Sequence, residues 1–76
     1  MDKNIAISDI KLSSYLVASG FSITDVSRQG RHCDFIFISS VELDEAIRAF
    51  KFANPQVGVR ELFNAWNQLK SLIYDG

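Results

Sequence analysis

Apolar residues recur along this chain at two spacings, one near 3.6 residues and one of two, which mark helix faces and strands respectively. The strongest helical pattern is Val59, Leu62, Phe63, Trp66, Leu69 and Ile73, widened by Ala65 and Leu72, and it predicts a helix from Val59 to about Tyr74. A second stripe, Leu43, Ala46, Ile47 and Phe50, predicts a helix that opens on the capping box Ser39-x-x-Glu42. It closes at Asn54-Pro55, because the residue before proline is pushed out of the α region. Phe52 lies off that stripe. A narrower face, Leu12, Tyr15, Leu16 and Ser19, predicts a helix from Asp9 to about Ser19. Ser8 is its expected N-cap, Ile7 and Leu12 stand at hydrophobic-staple spacing, and Gly20 is placed to end it with Phe21 folding back on Leu16.

The period of two is clearest in Asp34 to Ser39, where Phe35 and Phe37 point to one face of a strand and Ile36 and Ile38 to the other. Phe21 to Arg28 is more mixed. Ile23 and Val26 fall on opposite faces of a regular strand, which makes a bulge plausible. Gln29-Gly30 or Gly30-Arg31 forms the turn between these two strands, with Gly30 supplying positive φ. A two-residue Gln29-Gly30 loop would oppose Arg28 with Arg31 and Asp25 with Asp34, so a loop one residue longer is expected. The alternation of Ile5 and Ile7 makes Lys3 to Ile7 a candidate edge strand. The order is (β)α-ββ-α-α, one α+β domain over residues 1–76, with an antiparallel hairpin sheet packed by two or three helices on one face.

That architecture raises a question about the second sheet face. Phe35 and Phe37 have partners in the two later helical stripes, whereas Ile36 and Ile38 do not. Either the first helix covers them, making a three-layer monomer, or a second chain does.

Composition narrows the function more by exclusion than by indication. The chain is 47% apolar and 22% charged, which is globular rather than disordered. A domain of this size buries only about 60% of its unfolded surface, so dimerisation is a common remedy. A single cysteine, Cys33, allows no internal disulfide and no four-cysteine metal site, and points to a reducing, cytoplasmic setting. The N-terminal stretch is too short in apolar residues for a signal peptide or a membrane span, so no membrane partner is expected. A formal charge of −1 gives no long-range attraction to nucleic acid or anionic lipid.

Candidate chemistry is sparse. His32, Cys33 and Asp34 are consecutive, but on a strand the histidine and the carboxylate face away from the thiol, so no base reaches the nucleophile. One histidine and one cysteine are too few for a closed metal site, and the four glycines form no Gly-x-Gly run that would cradle a phosphate. No catalytic, metal-binding or cofactor-binding residue is therefore expected. Arg28, Gln29, Arg31 and His32 gather polar donors at the hairpin tip and are the candidate nucleic-acid contact, opposed by the nearby Asp25 and Asp34. Ile36, Ile38, Phe52, Leu72 and Tyr74 are apolar residues beyond what one small core needs, and are the candidate protein interface. The reading is a non-enzymatic interaction domain acting by self-association or by binding another protein. The alternative is a nucleic-acid-binding accessory protein that uses the hairpin tip.

Several stretches together resemble a family of short bacterial and phage proteins catalogued as a domain of unknown function. They are Ile5 to Ile10, the helix end from Tyr15-Leu16 to Gly20-Phe21, the strand Phe35-Ile36-Phe37, and Val57 to Tyr74 with Leu69-Lys70 near its end. The resemblance spans almost the whole chain. It implies the fold and an origin in phage or mobile DNA, and it carries over no catalytic residue.

Overall fold

The computed structural model describes residues 3–53 and 55–74. The elements follow the order β1 (Asn4–Ile7), α1 (Ile10–Ala18), β2 (Ile23–Gln29), β3 (His32–Ile38), α2 (Val41–Phe52) and α3 (Val59–Tyr74). The sheet is antiparallel throughout and ordered β1-β3-β2, which puts the Phe35-Ile36-Phe37 strand at its centre. The Ile5/Ile7 alternation does form a strand, its register carried one step further by the Ser39 amide donating to the Lys3 carbonyl at 2.7 Å. The fold is α+β, with the N-terminal strand as a full member of the sheet.

Register fixes the two faces. Ile5 and Ile7 stand opposite Phe37 and Phe35, and Ile23 and Val26 stand opposite the same two phenylalanines from the other side. These six residues form the inner face, on which Phe35, Phe37, Leu16, Leu43 and Leu69 are almost wholly buried in one cluster. Burying a phenylalanine or leucine completely contributes roughly 1.5–3 kcal/mol, so this cluster is the main source of stability. Ile23 and Val26 share a face because the strand bulges between Ile23 and Asp25, restoring the alternation that a regular strand would break. Thr24 sits in the bulge and its hydroxyl donates to the Ile36 carbonyl at 3.2 Å.

All three helices contribute to this one core: Leu12, Tyr15 and Leu16 from α1, Leu43 from α2, and Leu69 from α3. The first helix therefore does not cover Ile36 and Ile38, and the three-layer monomer is ruled out. Extents of 34 × 33 × 18 Å match one sheet and one helical layer. Asn4, Ala6, Asp25, Ser27, Asp34, Ile36 and Ile38 share the outer face by register, opposite the face on which the helices pack.

Several local expectations shift by one residue. The N-cap of α1 is Asp9 rather than Ser8; its carboxylate accepts from the Lys11 amide at 2.9 Å, a stronger acceptor than a hydroxyl at the positive helix end. The cap of α2 is Ser40 rather than Ser39, since the Ser39 amide is used in the sheet; Ser40 Oγ accepts from the Leu43 amide at 3.0 Å. The hairpin loop is the two-residue Gly30-Arg31 rather than a three-residue one. Gln29 then faces His32 and Arg28 faces Cys33, so both like-charge pairs are avoided by moving the turn along the chain instead of lengthening it. The end of α1 is as expected: Phe21 donates to the Leu16 carbonyl and Gly20 to that of Val17, both at 3.0 Å, with Gly20 at φ 108°. This is the Schellman arrangement, which a side chain at Gly20 would strain. Helix α2 ends at Phe52 with Ala53 as its C-cap, while the Asn54 part of the expected stop lies outside the described residues.

Candidate interaction surface

The hairpin tip does not gather its four donors. Because Arg28 pairs with Cys33, whose neighbours Phe35 and Phe37 define the inner face, its side chain leaves β2 on the helical side. There its guanidinium donates through Nη2 to the main-chain carbonyls of Leu72 and Ile73. These are last-turn carbonyls that lack partners within the helix, and a cation beside them also opposes the negative end of the helix dipole. His32 points to the outer face and pairs with Asp34, Nε2 to Oδ1 at 2.8 Å. Gln29 and Arg31 remain exposed at the turn. Arg28 thus lies on the opposite sheet face from Gln29 and His32, while Arg31 sits in the turn.

The same register separates the thiol from the His32–Asp34 pair. Cys33 lies against the core side while the imidazole and carboxylate lie on the other, as strand alternation requires. Among the described residues no three histidines, cysteines or carboxylates are grouped to hold a metal ion. Among the described residues no helix is long and apolar enough to cross a membrane.

The candidate interface residues fall on three separate surfaces. Ile36 and Ile38 lie on the outer sheet face, interleaved with Asn4, Ser27 and the His32–Asp34 pair. One solvated face with mixed polarity is ordinary for an antiparallel sheet. Phe52 is 85% exposed at the end of α2. Leu72 borders a hollow of about 640 Å³ between β2 and α3, floored by Val17, Phe21, Ile23 and Val26, and Tyr74 is exposed at the end of α3. No single patch unites them.

A different surface does form a continuous stripe. The sequence pattern assigns Val59, Phe63 and Trp66 to the core, yet they are 67%, 54% and 41% exposed, while Ala65 and Leu69 take the buried positions. Val59, Phe63, Trp66 and Lys70 follow i, i+4, i+7 and i+11, so they lie in one row along α3. Lys70 Nζ sits 5.5 Å from the Trp66 ring centroid, a cation–π contact that covers the end of the row. No Asp, Glu, Lys or Arg occurs between Glu61 and Lys70.

Beside this row is an apolar hollow of about 430 Å³ between α1 and the α2–α3 connection. Tyr15, Phe50, Pro55, Val57, Leu62 and Trp66 line it, with Lys11 and Ser14 at its edge. Tyr15 and Phe50 meet there with ring centroids 5.5 Å apart. Helix α1 packs against α3, and the small residues Ser13 and Ser14 of α1 and Ala65 of α3 are all buried.

The signal for this surface is present in the sequence as a width. Val59, Leu62, Phe63, Ala65, Trp66, Leu69, Leu72 and Ile73 span about half the helical circumference, more than one helix can bury against a single layer. With α1 and the sheet taking the Ala65/Leu69 side, the Val59/Phe63 side is left in solvent.

Fold and surface together define a small two-layer α+β domain with an exposed aromatic helix face. The chain belongs to the family described as Domain of unknown function (DUF5659), which matches residues 2–75. No match was found among curated proteins or among solved structures.

Proposed function

We propose that this domain is a non-enzymatic, cytoplasmic association module that binds a second copy of itself through the exposed face of α3. The observation that carries the proposal is the charge-free segment from Leu62 to Leu69, which presents Phe63 and Trp66 to solvent. The centres of protein interfaces are depleted in charge and enriched in aromatic residues, with tryptophan and tyrosine prominent among the energetic anchors. A helix surface left to face water ordinarily carries charged residues in these positions. The outer sheet face is a weaker candidate because the His32–Asp34 pair and Asp25 would have to be desolvated with it.

The single tryptophan provides the test. Trp66 is partly exposed in the monomer, so self-association lowers its access to water. Its emission should shift to shorter wavelength, and acrylamide quenching should weaken, as protein concentration rises. Emission and quenching that are independent of concentration would contradict the proposal.

A further inference from the structure

Resting on that reading, we infer that the two copies meet as an isologous pair in which Phe63 of each copy seats in the apolar hollow of the other. Leu62 and Trp66 form one wall of the hollow, and Phe63 leaves the same turn of α3 just outside it. A projecting aromatic side chain and a cavity lined by apolar groups therefore stand side by side on one surface. Two copies related by a two-fold axis exchange them reciprocally, and such a contact closes on itself rather than propagating into a filament.

Size supports the exchange. Apolar cavities of about 150 Å³ accept a benzene ring, and this half-open hollow of about 430 Å³ has room for a benzyl side chain. The lining offers Tyr15, Phe50 and Trp66 as ring partners, for which offset or edge-to-face contacts add roughly 0.5–1.5 kcal/mol beyond area burial. Surface area points the same way. The chain exposes 5593 Å², about 900 Å² more than folded monomers of this mass typically expose. Standard interfaces bury about 800 Å² per partner, so one contact of ordinary size would absorb the excess.

Sedimentation equilibrium on the wild type, Phe63→Ala, Phe63→Glu and Val57→Trp tests this, with circular dichroism confirming that each variant is folded. Phe63 is exposed, so its substitution leaves the core intact. Phe63→Ala should weaken the dimer roughly thirtyfold or more, the scale of an anchor residue. Phe63→Glu should sediment as a monomer. Val57→Trp fills the hollow without changing α3 and should weaken the dimer as well. A wild-type dimer whose affinity is unchanged in Phe63→Glu overturns the exchange while leaving self-association standing. A wild type that stays monomeric overturns both.

Discussion

Arg28 on β2 donates a hydrogen bond to the carbonyl of Ile73 in the last turn of α3, joining residues 45 positions apart in the chain. The contact ties an edge strand to the end of the longest helix, and it turns what reads in sequence as a phosphate-binding group into a structural clasp. Its position follows from a single step of register: opposite Cys33 the side chain must leave on the helical side.

Replacing Arg28 by alanine should therefore destabilise the domain by about 1 kcal/mol, the usual scale of a cation at a helix C-terminus. For a chain of this length that lowers Tm by about 4–8 °C. Arg28→Lys should recover only part of the loss, because its ammonium is a compact, strongly hydrated charge on a flexible stem and gives up more hydration to reach the same carbonyls. Thermal melts of the three proteins check this; identical midpoints would remove the clasp from the account.

The two faces of the sheet should respond very differently to substitution. Phe37 is fully buried, and Phe37→Ala should cost about 3–5 kcal/mol, a large part of the roughly 4–11 kcal/mol available to a domain of this length. Ile38, one residue on and 48% exposed, should tolerate Ile38→Thr at under about 1 kcal/mol. Urea denaturation of both variants measures the contrast. Similar losses at the two positions would mean that the outer face is covered in the folded monomer.

Two serines of α1 carry an energetic cost. Among the described residues the hydroxyls of Ser13 and Ser14 are buried without a hydrogen-bond partner. An unsatisfied buried hydroxyl costs about 1–3 kcal/mol, and alanine is also the better helix former. Ser13→Ala should accordingly raise stability, by about 1 kcal/mol. A lower melting temperature for this variant would show that the hydroxyl has a partner after all. Both serines are small residues on a helix that packs against α3, and their polarity has no evident role.

Most of the fold is legible in the sequence because its signals are local. The 3.6-residue stripes give α2 and α3, Gly20 gives the end of α1, and the Phe35-Ile36-Phe37 alternation gives the central strand. What shifts by one residue are the caps, where two adjacent candidates compete: Asp9 displaces Ser8 as the better acceptor, and Ser40 displaces Ser39 because the Ser39 amide is committed to Lys3. Avoidance of like charges predicts a longer hairpin loop, and the chain meets the same condition by sliding the turn to Gly30-Arg31.

The surface is less legible, for a reason of geometry. Periodicity shows that Val59, Phe63 and Trp66 are apolar and share a helix with Leu69, but not which part of a wide stripe a single sheet layer will cover. That depends on where α1 crosses α3, a contact between residues some 50 positions apart that no local pattern encodes. Arg28 likewise changes meaning only once its strand partner is known.

The most direct test of self-association is the mass of the unmodified protein by light scattering as a function of concentration. The mass should rise from the 8.6 kDa of one chain toward twice that value, with no larger species, because the contact closes on a two-fold axis. A mass that stays at 8.6 kDa to the highest concentration reached would contradict it.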